Sequence, residues 1–394
     1  MSRGKRFLVG LAALVIATAI WIPSVHFLFV KPTSNFHGAD GLSPKARELA
    51  ERQLRLWTEP NLREQELQRM RASNAEWDFM GRSFLVWSLA NMGLREPAAK
   101  QTYLETMDRI IEETLRLEKK EGIYIFLMPY AKGRPYVVQP ARSLFLDGEI
   151  ALMFAARRAL EEKPEYKPLL TGRVNLMAEG LQRNPHRVLE SYPDECWMFD
   201  HCVALAAIKL ADHLDGSDHS ALLHDWVAMA KTKLVHRESG LLVSSFTTDG
   251  VPLDGPEGST IWMVAHLLQP VDEAFARDQY ERARKELGEV TMGFGYAHEW
   301  PQSWHGPEDI DSGPIIPVLK ISAGSSGMAF IGASAFNDEK FLSALAATLD
   351  FAAFPSRKSG ALKYCASNQV GDAALLYAAT LGPLWGKIKS SSAP

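Results

Sequence analysis

The chain has 394 residues, 46% apolar and 23% charged, a globular composition that excludes wholesale disorder. The net charge is −4 with bases and acids nearly balanced, so no electrostatic argument points to nucleic acid as a partner. Three cysteines, Cys196, Cys202 and Cys365, are too few for a disulfide scaffold, and the sequence leaves their pairing open.

The first element is an apolar run of 24 residues, Phe7 to Val30, with His26 its only ionisable member. It exceeds the roughly 20 residues a helix needs to cross a bilayer. Arg3, Lys5 and Arg6 precede it and place the N-terminus in the cytoplasm. The run is long for a signal peptide, and no small-x-small cleavage site follows closely, so it reads as an uncleaved signal-anchor. Residues 1–30 are then the cytoplasmic N-terminus and transmembrane helix, 31–42 a polar tether, and 43–394 one domain on the extracytoplasmic (periplasmic or extracellular) side.

From Ser43-Pro44, a helix-start signal, helical spacing dominates. Strand-like alternation is confined to short pieces such as 122–127 and 241–247. A similar apolar helix recurs six times, and the repeats align on Gly81, Gly148, His201, Gly258, Gly327 and Gly371. Amphipathic, charge-bearing helices lie between them, over 98–118, 166–182, 220–236, 273–287 and 338–351. Apolar helices belong inside and amphipathic ones outside. The reading is an all-α fold: an (α/α)6 barrel, a toroid of six inner and about six outer helices, with the helix ending near Trp57 completing the outer ring.

Closure brings the six inner N-termini to one mouth, where a small-molecule site lined by aromatic and aliphatic side chains is expected. The stretch from Tyr192 to Cys202 opens the third inner helix and concentrates acids and aromatics there. Asp194, Glu195 and Glu257 sit where helix caps sit. Asp78, Glu149 and Asp200 fall inside inner-helix patterns. Each is either a structural hydrogen-bonding acid or a catalytic one, because a buried carboxylate is costly unless paired or used. Two carboxyls in unlike environments can divide acid and base work, which makes Asp200 and Glu149 the leading pair and Asp78 a third candidate. Tyr192, Trp197, Phe199, Ser259, Trp262, Tyr296, Trp300 and Asp311 are the candidate substrate-binding residues. The insertion over 293–314 is either a lid or aromatic wall, or a surface loop with buried anchors. No strict metal-ligand spacing is present, and no cofactor motif is found.

Asn184-Pro185, Pro193-Asp194, the run from Asp212 to Asp218, the run from Asp272 to Phe275, and Asp309, Asp311 and Gly313 occur in an order and spacing that resemble the linalool dehydratase/isomerase family. The resemblance covers most of the chain after the anchor. It implies a cofactor-free, exported (α/α)6 barrel that dehydrates or isomerises a terpenoid alcohol by acid/base chemistry in an apolar cavity. The family's active-site histidine falls on Glu149, its two cysteines on Ser191 and Asp200, and a tyrosine on Ser259. Glu59 is the nearest acid to its early aspartate. The polar groups are thus exchanged, largely for carboxylates, and function rests with the site rather than the scaffold.

The expectation is a membrane-anchored lyase or isomerase acting on a small apolar alcohol, with a homo-oligomer left open. A two-carboxylate glycoside hydrolase and a non-catalytic binding module are the alternatives. An open cleft studded with polar groups favours sugars, and a closed, dry one favours the alcohol.

Overall fold

The computed structural model describes residues 2–38, 41–308 and 312–391. Helix α1 (Arg3–Ser24) carries on as one further turn to Leu28 and is exposed along its length. Among the described residues it is the one helix long and apolar enough to cross a bilayer. Residues 31–38, part of the stretch read as a polar tether, lie against the barrel as a strap. Phe36 is buried against Phe330, with ring centroids 4.8 Å apart, and Lys31 pairs with Asp350 at 2.9 Å. Arg95 holds the lower end by donating to the Gly38 carbonyl at 2.7 Å. One buried aromatic and one ion pair are enough to override a polar, flexible-looking composition.

The helical domain alternates outer and inner helices in chain order. The outer helices are α2 (Pro44–Thr58), α4 (Lys100–Glu121), α6 (Tyr166–Arg183), α8 (Ser220–Lys233), α10 (Glu273–Glu286) and α12 (Glu339–Ala352). The inner ones are α3 (Ala75–Arg95), α5 (Leu144–Leu160), α7 (Met198–Asp215), α9 (Gly258–Leu268), α11 (Ala323–Ala335) and α13 (Gln369–Thr380). Each inner helix packs against the next, and α13 returns to α3, so the ring closes. The fold is an all-α (α/α)6 barrel of six inner and six outer helices among the described residues.

Three of the repeated glycines explain how the inner ring packs. A Cβ on Gly148 would lie 3.3 Å from the backbone nitrogen of Ala204, across the seam from α5 to α7. One on Gly258 would lie 2.0 Å from the Ser325 hydroxyl on α11, and one on Gly81 would strike the Gln369 side chain on α13. Glycine there permits inner helices to approach more closely than any side chain would.

Four two-stranded antiparallel ribbons decorate the connections. They are β1 (Cys196–Trp197) with β2 (Ser245–Phe246), β3 (Gly288–Thr291) with β4 (Phe294–Ala297), β5 (Ile315–Ile316) with β6 (Ile321–Ser322), and β7 (Pro355–Lys358) with β8 (Ala361–Tyr364). The alternation at 241–247 yields β2, whereas 122–127 is turns. All four ribbons lie in segments that lead from an outer helix into an inner one, and so at the mouth.

The opposite end is stoppered. Helix α14 (Pro383–Ser391) lies across it and touches α3 and α7. Asn91 on α3 accepts from the Leu384 backbone at 2.9 Å. The Trp385 indole N–H donates to His266 Nε2 at 3.0 Å, where the Tyr377 hydroxyl also lies within 2.9 Å. Burial holds His266 neutral, down at about 3.

Candidate active site at the barrel mouth

The entries to α5 and α7 are fastened together, and this sets the geometry of the site. The Leu144 N–H donates to the Glu190 carbonyl at 2.8 Å, and Ser143 Oγ donates to the Ser191 carbonyl at 2.6 Å. The Glu190 carboxylate accepts three backbone N–H groups, from Val137, Val138 and Asp194, at 2.7–2.9 Å. Asp194 sits in the left-handed region, at φ 62, at the tip of the turn that this carboxylate ties down. Beyond the turn, β1 delivers the chain into α7.

Glu149 and Asp200 lie buried near the starts of these two helices. Glu149 is 1% exposed, and neither of its carboxyl oxygens has a hydrogen-bond partner among the described residues. Burial raises its proton affinity well above the usual carboxylate range, the nearby Ser83 hydroxyl offsets part of this, and the charge of Asp200 adds to it. Ser83 itself donates to the Phe79 carbonyl at 3.3 Å. Asp200 is pushed up to about 8, again by burial, with Ser191 working against the rise and Glu76 adding to it. The two acids thus sit on adjacent inner helices, with Asp200 close enough to raise Glu149.

Tyr192 roofs this cluster. It is 3% exposed, its hydroxyl meets the Glu76 carboxylate, and it accepts from the Met128 N–H at 2.8 Å. Its ring stacks on Tyr130 at 5.1 Å, and the Tyr130 hydroxyl donates to Glu195 at 3.1 Å. Of the open and closed mouths that the sequence left as alternatives, the burial of Glu149 and Asp200 fits the closed one. A groove of about 530 Å³ lies on the outer face of α4 between acids and arginines such as Glu105, Arg109 and Glu112.

Several sequence candidates lie elsewhere. Asp78 is fully buried but ion-paired, accepting from Arg71 at 2.7 Å and Arg82 at 3.2 Å. Arg82 reaches on to Glu113 on α4, so this network faces the outer layer. Trp262 also faces outward, between Tyr280 of α10 and Phe341 of α12, and donates to Ser325 at 3.0 Å. Both positions fall on the face of an inner helix that meets the outer ring, a distinction that an all-round apolar pattern does not encode. Ser259 is held by Glu299, which accepts from its N–H at 3.0 Å and its hydroxyl at 2.5 Å. Tyr296 lies on β4 with its hydroxyl 3.0 Å from Thr291. Phe199 is buried in the first turn of α7, Trp197 is half-buried in β1 with its indole nitrogen unpartnered, and Trp300 is half-buried beside Glu299. Asp311 and Asp309 lie outside the described residues.

The thiols of Cys196 and Cys202 are buried and free, and burial pushes both upward, so they stay protonated. His201 bridges the Trp197 carbonyl at 2.8 Å and the Leu189 N–H at 3.0 Å, and burial holds it down at about 4. Among the described residues, no three His, Cys, Asp or Glu side chains converge as a ligand set for a metal.

No family model matches the chain, and no curated protein does either. Among solved structures, a GH76 alpha-mannanase from Bacteroides thetaiotaomicron is similar at a TM-score of 0.48 and 10% identity, over 76% of this chain and 85% of that one. A likeness this distant assigns neither family nor activity.

Four acids in or around the site were not singled out by sequence reasoning as functional: Glu76 near Asp200, Glu190 under the turn, Glu299 behind Ser259, and Asp372. Asp372 had a signal, since it follows Gly371 as Glu149 follows Gly148 in the aligned repeat. It is buried, pushed up to about 7, and has one unpartnered oxygen. Tyr364, Ser367, Arg52 and Lys363 surround it, so it faces α2 and β8.

Proposed function

We propose that the barrel is an acid/base enzyme that dehydrates, hydrates or isomerises a small, mostly apolar alcohol, a chemistry akin to that of the linalool dehydratase/isomerase family. The observation that carries this reading is Glu149, a buried carboxyl that burial inclines to keep its proton and whose oxygens have no hydrogen-bond partner among the described residues, beside the second buried acid Asp200. A proton on a group with nothing to hydrogen-bond is available for transfer. In the elimination direction, Glu149 gives its proton to the hydroxyl, which leaves as water. The Asp200 carboxylate takes a proton from the adjacent carbon, and that C–H electron pair becomes the alkene. Proton exchange from Asp200 back to Glu149 resets the pair.

The buried setting favours the apolar alcohol over a sugar, because both acids are shut from water and the roof is a pair of stacked tyrosines. Substrate entry requires the Tyr130–Tyr192 stack to move aside. The anchor helix supports export of the barrel to the extracytoplasmic side, with the basic residues Arg3, Lys5 and Arg6 retained in the cytoplasm.

Two outcomes test the proposal. Turnover of a panel of allylic alcohols should drop by roughly 10²–10⁴ in Glu149→Gln, the usual worth of a general acid. It should also rise with pH through about 8, because Asp200 acts as base only when ionised. Hydrolysis of glycosides without alcohol turnover would move the assignment to a two-carboxylate glycosidase. No turnover of either class, with tight binding of one, would make the barrel a binding module.

A further inference from the structure

The exposed apolar side chains of the barrel are not scattered. Among the described residues outside α1 and those just after it, fourteen large apolar residues are exposed, and of these only Leu169 and Leu176 lie on an outer helix face well away from the mouth. The other twelve lie in the segments that lead from outer to inner helices, or in the last turn of α12, and so ring the mouth. Tyr130, Val251, Met292, Val318 and Phe354 represent five different stretches of that rim. Three of them are placed at a cost. Met292, Val318 and Phe354 have φ of 51, 71 and 50, in the left-handed region where glycine or asparagine is at ease and a branched or bulky side chain is not. Val318 is 97% exposed, so no packing inside the barrel offsets its strain.

The anchor helix emerges at this same rim. His26, in the turn that continues α1, lies over the β3–β4 turn so closely that a Cβ on Gly293 would be 2.2 Å from its ring. Phe29 packs on Phe294 and on Phe351 at the end of α12, with centroids 6.3 and 5.2 Å away, and Phe294 and Phe351 are 5.0 Å apart. The β5–β6 tip is tied on beside it, His298 bridging the Lys320 carbonyl at 3.0 Å and Glu289 at 2.9 Å. This aromatic clasp fixes the end of a span-length helix against the mouth and not against the stoppered end.

We infer that the mouth face of the barrel lies on the bilayer that α1 enters, with Met292, Val318 and Phe354 dipping into the headgroup boundary. The candidate site is thereby fed with amphiphilic alcohols dissolved in the membrane. The inference rests on α1 being a membrane anchor, and it adds a substrate source to the acid/base reading. A lipid surface is the occupant because the apolar rim is continuous with the anchor through the clasp. Exposed apolar side chains around a membrane helix are the composition of an interfacial surface, seated roughly 5–10 Å into the headgroup region.

The test uses the full chain with Cys365→Ser, reconstituted in phosphatidylcholine/phosphatidylglycerol nanodiscs. An environment-sensitive fluorophore is placed on single cysteines at Ile16→Cys in the anchor, Val318→Cys on the rim, or Gln101→Cys near the far end. The inference predicts blue-shifted emission at 16 and 318, with about half the intensity at 318 lost to lipids carrying a shallow spin-label quencher, and neither effect at 101. Protection at 16 with no quenching at 318 overturns the mouth-down placement and leaves the anchor standing. No protection at 16 overturns the anchor with it. A blue shift at 318 without lipid quenching assigns the rim to a second protein copy and overturns the inference too.

Discussion

The two ends of the barrel are made of the same helices and solve opposite problems. At the far end the opening is plugged by hydrogen-bonded groups: Trp385, Tyr377 and His266 share hydrogen bonds, and Asn91 holds the start of α14. At the mouth two acids are buried with little or no pairing, large apolar residues are exposed on the surface, and three of them strain the backbone. Asp78 makes the contrast within one layer, since it is as buried as Glu149 but answered by two arginines. Burial alone therefore does not mark a working acid. An unanswered buried acid is the stronger candidate, because natural structures tolerate one only where the fold or the chemistry needs it.

The largest expected effects break the two classes of acid in opposite ways. Asp78→Asn removes one of the two carboxylates that answer the buried Arg82 and should cost about 3–5 kcal/mol of stability, read from urea denaturation. It should leave the pH profile of turnover unmoved, and a shifted profile would return Asp78 to the site. Trp385→Ala should cost a similar ~3–5 kcal/mol through the cavity it opens under the stopper, again read from urea denaturation. A loss below about 1 kcal/mol would show that α14 covers the far end without holding it.

Asp200→Asn should act the other way and stabilise the fold by roughly a few kcal/mol at pH 8. The sign follows from where the protons sit. Asp200 titrates near 8 when folded and near 4 when unfolded, so from pH 4 to 8 the folded state binds the extra proton and stability falls as pH rises. His201 and His266 have folded values of about 4 and 3, so stability falls as pH drops from 6.5 towards those values. The two trends oppose each other at mildly acid pH, and above 6.5 only the acids remain. Melting curves at pH 5, 7 and 8 should show the gain from Asp200→Asn growing with pH. A pH-independent gain would mean that Asp200 is already ionised in the fold. The smallest effect is at the rim. Val318→Asn, which suits a left-handed φ, should stabilise the detergent-solubilised chain by about 1 kcal/mol or less.

Much of the fold was legible because the inner and outer helices differ in kind. Apolar runs with a small residue near the start marked the inner ring, and the outer helices fall within a few residues of their amphipathic patterns. The strap over 31–38 was not legible, because its packing hangs on one aromatic residue amid polar neighbours. The hairpins escaped because two to four residues give no periodicity. In the site, Glu149 and Asp200 stood out as acids in apolar helices. Asp78 and Trp262 stood out equally, since a buried helix is apolar on both faces and hides which one meets the cavity. Glu190 looked like an ordinary loop acid, and its role depends on three backbone N–H groups that only the folded turn brings together.

The central claim is that Glu149 keeps its proton at neutral pH, unpaired, beside Asp200. Infrared difference spectroscopy of the full chain at pH 7 reads this directly. The account predicts a protonated-carboxyl C=O stretch at the frequency of a weakly hydrogen-bonded acid. That band should vanish in Glu149→Gln and persist in Asp200→Asn, since Asp200, at about 8, is itself largely protonated at this pH. A spectrum at pH 7 in which Glu149→Gln removes only carboxylate bands would contradict it.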